Sequence, residues 1–256
     1  MRREDNLMPR IKKGSASHER PMRYAVYVAF LALIVLLLET SNLYATGKLG
    51  ENAYLVYASI AQSFIFSFVV LAYLFASGRS LRQALARLGL ARKQWKSAYI
   101  AYGIAIFVSI FILEILLGVF QAVTGVQLPT NVAKLFSGLP FYFLLFSVFI
   151  APINEEILFR GFLVPGIGNV LLSGRKNARR GTAAYKSAMW AGIILSALLF
   201  GVLHYLSYNS ISELIAALVF GLIAGYVRIK KDSLYPSIIA HMLVNFLGLL
   251  VLAILI

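Results

Sequence analysis

Seven long apolar segments constrain the fold of this chain more than any other feature. They run from Tyr24 to about Tyr44, about 53–77, about 97–124, Leu139 through a Glu-Glu pair at 155–156, about Met189 to Leu206, about 211–227, and Pro236–Ile256. A helix needs roughly 20 such residues to cross the hydrocarbon core of a bilayer. Since 60% of the residues are hydrophobic and only 13% are charged, a soluble fold is excluded. The sequence predicts an all-α, polytopic membrane bundle of about seven transmembrane helices.

Residues 1–23 differ from the rest of the chain, because they hold seven Lys or Arg residues and no apolar periodicity. We expect them to form a disordered basic tail in the cytoplasm, followed by a single transmembrane domain over residues 24–256. The first apolar segment is too long for the core of a cleaved signal peptide, so we interpret it as a signal anchor. The absence of cysteine excludes disulfides, thiolate nucleophiles and cysteine-based metal sites.

Lys and Arg are distributed unevenly among the predicted loops. Of the 24, 21 lie in the tail and in 79–96, 175–186 and 228–231, whereas the alternate loops hold only Lys48 and Lys134. Cytoplasmic loops are rich in Lys and Arg. We therefore predict a multi-pass cell-membrane protein with a cytoplasmic N-terminus and an external C-terminus. The net charge of +14 indicates contact with anionic lipids at the cytoplasmic face. Nucleic acid is not an expected partner, because no basic face is interleaved with aromatic residues.

The stretch Gly78–Trp95 joins the second and third apolar segments and mixes leucines with arginines and lysines. This pattern is typical of a basic amphipathic helix that lies on the membrane surface. A solvated loop helix would have a similar composition, so both interpretations stay open.

The fourth apolar segment ends with Asn154-Glu155-Glu156-Ile157-Leu158-Phe159-Arg160, which contains three ionisable residues. A buried charge is unfavourable unless it has a partner or a function. On a helix, Glu156 and Arg160 are i and i+4, so they share a face and can pair. Glu155 is rotated by about 100° from Glu156. It is therefore free to face a different group, which makes it the first candidate for chemistry.

Two of the three histidines also lie in apolar segments. His204 follows Phe200 by four residues, and His241 precedes Asn245 by four residues, so each pair shares a helix face. A single histidine in a membrane helix is commonly a packing residue. Two histidines, an asparagine and a carboxylate pair together indicate a reaction site or an ion pathway.

The depth of these residues limits which of them can meet. At 1.5 Å per residue, His241 lies about 7 Å from the inner surface and Glu155 lies about 24 Å along its helix from the outer side. Both are therefore expected near the inner side. His204 reaches that level only if the fifth helix is short or if the stretch 205–213 dips into the membrane. Elsewhere, Glu213 is expected to cap the sixth helix, while Glu39 and Glu114 either line the same cavity or bond between helices.

Three motifs occur in order within residues 139–250, namely Glu-Glu-x-x-x-Arg, Phe-x-x-x-His and His-x-x-x-Asn. This ordered set resembles the CAAX-processing and bacteriocin-processing endopeptidase family (CPBP, also called Abi), which includes the Rce1-type CAAX proteases. The resemblance implies an intramembrane endopeptidase. Such an enzyme hydrolyses a peptide bond of a membrane-associated protein or peptide near the cytoplasmic face.

The resemblance also implies a role for each site residue. Glu155 would activate the attacking water, and His204 would hold that water. Together with His204, His241 and Asn245 would stabilise the oxyanion that forms on the substrate. The residues that would support the site are Glu156, Arg160 and Phe200.

The family is often labelled a metalloprotease, but we expect no metal or other cofactor. The sequence has no His-Glu-x-x-His pair, and the three possible ligands come from three helices. If zinc does bind, its ligands are Glu155, His204 and His241. Two other functions stay open. A bacteriocin self-immunity factor or scaffold would need none of these residues for its effect, and a small transporter or proton relay would show inverted repeats or paired broken helices.

Overall fold

The computed structural model describes residues 16–126, 128, 138–173 and 181–255. All regular structure in these residues is helical. Six helical stretches are long and apolar enough to cross a membrane, and a shorter apolar helix follows them. The predicted all-α membrane bundle is therefore confirmed. The helices are α1 (Ala16–Ala45), α2 (Glu51–Ala76), α3 (Leu81–Leu88), α4 (Ala98–Thr124), α5 (Phe141–Phe149), α6 (Ala151–Glu156), α7 (Val164–Leu172), α8 (Ala183–Tyr208), α9 (Ile211–Lys231) and α10 (Tyr235–Leu255), with a π-helical turn over Ile157–Leu163.

Several helices continue beyond the apolar segments that predicted them. The helix α1 begins at Ala16, so part of the predicted disordered tail is helical, while residues 1–15 lie outside the described residues. The helix α8 begins at Ala183 rather than at Met189, because the hydroxyl of Thr182 accepts a hydrogen bond from the backbone N–H of Tyr185 and caps the helix there. Apolar content marks where a helix can cross lipid, whereas caps decide where it starts.

The position of His204 in α8 differs from both sequence-based alternatives. The helix has 26 residues and ends at Tyr208, and only Asn209 and Ser210 separate it from α9. Asn209 turns the chain in the left-handed region, with a φ of 45°. The fifth helix is therefore long rather than short, and the stretch 205–213 is helical apart from this two-residue turn. The cap of α9 is the hydroxyl of Ser210, which accepts from the backbone N–H of Glu213, rather than the Glu213 side chain.

The basic stretch after α2 forms α3, but its apolar side faces the protein. Ala84 and Leu88 are buried, and they pack in one cluster with α2 and with Leu234 at the start of α10. The guanidinium of Arg228 in α9 donates to the backbone carbonyl of Arg87 at 2.9 Å, which satisfies an end of α3. The amphipathic pattern is therefore explained chiefly by contact with neighbouring helices.

Two apolar clusters enclose the middle of the bundle. The first joins α4, the π-helical turn, α8, α9 and α10, and its buried members are Ile106, Ile110, Phe159, Phe200, Ala217, Phe220, Ala224 and Ala240. The second joins α2, α3 and the start of α10, with Ile153 and Ile157 packed against it. The segment that carries the Glu-Glu pair passes between the two clusters, so both of its sides are held by packing.

The helices α8 and α9 approach closely because small residues face one another. Gly221 in α9 lies against Ala197 in α8. A Cβ atom at Gly221 would lie 2.8 Å from the Cβ of Ala197, 2.9 Å from its Cα and 3.3 Å from Nη2 of Arg160. Small residues at such crossings let membrane helices pack by van der Waals contact. Gly221 thus sets the distance between α9 and the buried arginine.

We expect Gly221→Ala to lower the free energy of unfolding by about 1–3 kcal/mol, the usual range for an overpacked core. Alanine favours helix over glycine, so this loss has to come from the contact with Ala197. Thermal unfolding of the purified protein in detergent measures it. Gly248→Ala in α10 is the matched control, because its Cβ would meet no atom within 4 Å. Equal melting temperatures for the two variants would contradict the prediction.

Candidate active site

Immediately after the Glu-Glu pair, the helix changes from α-helical to the wider π-helical geometry. The helix α6 ends at Glu156, and Ile157–Leu163 forms a π-helical turn before α7 begins. Pro165 lies just beyond the turn and lacks the N–H that a regular helix would use. The hydroxyl of Ser196 in α8 donates to the carbonyl of Phe159 within the turn at 3.0 Å. Turns of this kind frequently occur at functional sites, and this one places Arg160 beneath the carboxylates.

Glu156 and Arg160 form the ion pair that the sequence predicts. Nη1 of Arg160 lies 3.0 Å from Oε1 of Glu156, and the two side chains are 1% and 0% exposed. The guanidinium also lies 4.1 Å from the ring centroid of Phe200 and 4.9 Å from that of Phe220. Aromatic faces attract cations. The positive charge is therefore held by one carboxylate and by aromatic rings from α8 and α9.

His241 in α10 lies between the two carboxylates. Its Nδ1 is 3.1 Å from Oε1 of Glu156, and its Nε2 is 3.7 Å from Oε2 of Glu155. A carboxylate oxygen accepts and does not donate, so Nδ1 is the nitrogen that carries hydrogen. Glu156 thus fixes the orientation of the imidazole, and Nε2 faces Glu155.

His204 in α8 is oriented by its own helix. Its Nδ1 lies 3.0 Å from the backbone carbonyl of Phe200, one turn earlier. Because a carbonyl only accepts, Nδ1 donates, and Nε2 of the neutral ring keeps its lone pair. That nitrogen can accept a hydrogen bond from water or bind a metal.

Three of the four predicted catalytic residues come together. Glu155, His204 and His241 each offer one oxygen or nitrogen atom, and these atoms all lie within 4.8 Å of one another. They come from α6, α8 and α10, which are far apart in the sequence. Asn245 lies one turn beyond His241, and its amide donates to the backbone carbonyl of Ser147 at 2.9 Å. It therefore lies beside the cluster and contacts α5.

A small cavity lies next to this cluster. Its volume is about 70 Å³, and by this measure one water needs about 10–15 Å³. The walls come from α2, α6, the π-helical turn and α8, and they include Gln62, Phe66, Glu155, Phe159, Phe200, Leu203, His204, Ser207 and Tyr208. Gln62 and Ser207 are exposed, so the cavity reaches the surface between α2 and α8. Water can thus contact Glu155 and His204, while His241 lies behind the carboxylates.

A polar contact beside Glu155 was missed in the sequence. The side-chain amide of Asn154 donates to the hydroxyl of Ser63 at 3.2 Å, and its oxygen accepts from the hydroxyl of Ser67. All three side chains are buried. The bonds fix α2 against α6 one residue before Glu155. The signal was present, because Ser63 and Ser67 are i and i+4 in an otherwise apolar helix and need a buried partner.

The family comparison agrees with this geometry. Residues 137–247 match the family described as type II CAAX prenyl endopeptidase Rce1-like. By this similarity we refer to residues 137–247 as the Rce1-like domain. The match contains all three motifs and confirms the resemblance on which the site was predicted. The helices α1 to α4 lie outside the Rce1-like domain, so Gln62, Phe66 and the two serines of α2 belong to a part of the site that the match does not cover.

One curated relative adds a further comparison. An uncharacterized 24.3 kDa protein of Escherichia coli is 34% identical over 139 residues, which are 52% of this chain and 57% of that protein. The chain thus spans just over half the length of this relative. No solved structure matches the chain at a significant level.

The donor atoms of the Rce1-like domain suit zinc in type. Zinc binds imidazole nitrogens and carboxylate oxygens at about 2.0–2.2 Å in tetrahedral geometry, so two ligand atoms of one ion lie about 3.3–3.6 Å apart. The atoms of Glu155, His204 and His241 lie within 4.8 Å of one another, so they would have to approach by up to about 1.5 Å. The residues present fit a three-ligand site in type and number, with one open position.

Proposed function

We propose that this chain is an intramembrane endopeptidase in which Glu155 activates a water that attacks a peptide bond. The observation that carries the proposal is a carboxylate and two imidazole nitrogens within 4.8 Å of one another at a water-sized cavity inside a membrane bundle. The match of residues 137–247 to an endopeptidase family supports the same reaction. The proposed substrate is a membrane-associated protein or peptide.

In the proposed reaction, Glu155 takes a proton from the water in the cavity. The resulting hydroxide attacks the carbonyl carbon, and the carbonyl oxygen becomes an oxyanion. Glu155 then gives the proton to the leaving nitrogen as the C–N bond breaks. A carboxylate placed to do this contributes roughly 10²–10⁴-fold to the rate. Nδ1 of His204 donates to the carbonyl of Phe200, so Nε2 of the neutral ring carries no hydrogen. In this proposal Nε2 therefore accepts a hydrogen bond from the water and does not donate to the oxyanion.

The oxyanion would be stabilised by donors on α10. Nε2 of His241 can donate only if the ring carries both protons, and Glu156 beside Nδ1 compensates the charge of such an imidazolium. Asn245 uses one of its two amide hydrogens on Ser147, which leaves the second for the substrate. Arg160 offsets the charge of Glu156, and Phe200 supports both Arg160 and His204. Preorganised donors of this kind commonly contribute a few kcal/mol each.

Orientation and partners follow from the distribution of charge. The chain is a multi-pass membrane protein by its six candidate spans, and we propose that its N-terminus is cytoplasmic and its C-terminus external. The Glu-Glu segment enters at Phe141, so Glu155 lies about 21 Å along it at 1.5 Å per residue. We propose that the site lies nearer the cytoplasmic side, where the basic segments would face anionic lipid.

Cleavage by the purified protein tests the proposal. The full chain is reconstituted in vesicles with a membrane-tethered reporter peptide, and mass spectrometry identifies the new termini. We expect wild type to hydrolyse one peptide bond of the reporter and His204→Ala to give no product. Glu39→Ala, a carboxylate substitution in α1, is the control. A wild type without hydrolysis would instead favour an immunity factor, a scaffold or a transporter. A His204→Ala variant with full activity would contradict the proposed site.

We propose that the reaction needs no metal. If zinc is bound, Glu155, His204 and His241 would hold it, and the ion would supply Lewis-acid activation of water. The same reporter assay after dialysis against a zinc chelator separates the two cases. We expect cleavage to continue at the wild-type rate. Activity that disappears on chelation and returns with zinc would assign these three residues as ligands.

A further inference from the structure

A second, larger cavity lies away from the site, at the end of the bundle where α3 meets the C-terminal end of α9. Its volume is about 260 Å³, and α3, α7, α8 and α9 supply its walls. It lies beyond the π-helical turn from Glu155, and it shares no wall residue with the smaller cavity. It is therefore a separate space that proteolysis does not use.

Polar groups facing this cavity are mostly hydrogen-bond donors. The polar residues that line it are Arg87, Arg228, Asn169, Tyr185 and one carboxylate, Asp232. The carboxylate is 3.0 Å from Nη1 of Arg228, so its charge is offset within the wall. Arg87 on the exposed side of α3 adds a positive charge. The cavity thus combines net positive charge with neutral donors, which is the chemistry that binds phosphate groups.

The surface around the cavity has the composition of a membrane interface. The rings of Trp190 and Tyr226 stack at 5.8 Å, and both are exposed. Lys230 lies 3.2 Å from the hydroxyl of Tyr226, and Lys231 lies 2.6 Å from that of Tyr102. Tryptophan, tyrosine and lysine are enriched where helices meet lipid headgroups. Met189 and Arg228, which line the cavity, are within two residues of Trp190, Tyr226 and Lys230, so the cavity shares the level of these residues along α8 and α9.

We propose that this cavity binds a phosphate group, presented by an anionic phospholipid of the surrounding leaflet. Basic pockets between membrane helices on the cytoplasmic side bind anionic headgroups, and the lipid tails would lie along the exposed apolar helices beside it. The donors that Arg87, Asn169 and Tyr185 supply are suited to the phosphate oxygens. The proposal goes beyond the proposed peptidase reaction and does not depend on it.

Native mass spectrometry of the full chain tests the proposal, with phosphatidylglycerol and phosphatidylcholine offered at equal concentration. We expect wild type to retain phosphatidylglycerol preferentially. Arg87→Gln should lower that retention about fivefold, the change that corresponds to losing one cationic contact at a membrane surface. Arg82→Gln is the matched control, because Arg82 is exposed on the same helix and does not line the cavity. Tyr185→Phe, which removes one hydroxyl, should give a smaller loss.

Several outcomes would overturn the proposal. Equal retention of the two lipids by wild type would do so, as would equal losses in the Arg87 and Arg82 variants. Inorganic phosphate is added in a separate arm. If it displaces the lipid at matched phosphate concentration, the cavity binds a soluble anion and the assignment to lipid is wrong. Thermal unfolding of each variant checks that the fold is kept. If the variants lose the preference for phosphatidylglycerol only when they are unfolded, that result would also count against the cavity.

Discussion

Glu155→Gln is expected to lower kcat for cleavage of a membrane-tethered peptide by roughly 10³-fold, within the range for loss of a general base, with KM nearly unchanged. The amide keeps the shape of the carboxylate but does not take a proton from water. Substrate contacts made elsewhere in the membrane are unaffected, so the loss should appear in kcat. Initial rates over a range of reporter concentrations in vesicles separate the two constants.

Glu114→Gln is the matched control for this variant. Glu114 is also a carboxylate within a candidate span, but it is exposed on α4 and does not line the cavity. We expect its rate to equal that of wild type. If Glu155→Gln retains more than a tenth of the wild-type kcat, Glu155 is not the residue that activates water, and the proposed chemistry fails even if the protein cleaves the reporter.

Arg160→Met is expected to lower the free energy of unfolding by about 3–5 kcal/mol, the usual effect of removing one member of a buried ion pair. Methionine fills much of the same space but leaves Glu156, which is 0% exposed, without its cation. The variant also loses the contact of the guanidinium with the ring of Phe200 at 4.1 Å. Denaturant unfolding in detergent measures the change.

The double variant Arg160→Met with Glu156→Gln distinguishes charge from packing. If the uncompensated carboxylate is the cause, the double variant should be clearly more stable than Arg160→Met alone, because neutral partners remove the unpaired charge. Equal stability of the single and double variants would mean that packing against the aromatic rings, and not the ion pair, accounts for the loss.

Much of the fold was predictable because a membrane-spanning helix needs a run of roughly 20 mostly apolar residues. The apolar runs predicted the helices, and the spacing of Glu156 and Arg160 predicted their pairing. Helix ends were less predictable, because caps such as Thr182 and turns such as Asn209–Ser210 lie outside the apolar runs. The burial of α3 was missed for another reason. A helix that packs on neighbouring helices and a helix that lies on lipid have the same alternation of leucine and arginine.

The candidate site was predictable as a set of residues and less so as a geometry. Motif order identified Glu155, His204 and His241, whose reactive atoms lie within 4.8 Å of one another. Sequence spacing did not reveal that Asn245 bonds to Ser147 or that His204 is oriented by the carbonyl of Phe200, because both contacts depend on how helices are rotated. The contribution of α2 through Gln62, Ser63 and Ser67 was missed, since no motif lies in that helix.

The narrow opening between α2 and α8 has a consequence for how fast such an enzyme works. A space of about 70 Å³ admits solvent but not a length of polypeptide, so these two helices must separate before a substrate reaches Glu155. Conformational opening of this kind limits turnover in many enzymes. For the proposed peptidase, acyl-chain order and lateral pressure in the host bilayer would then influence the catalytic rate, and a fluid membrane would favour turnover.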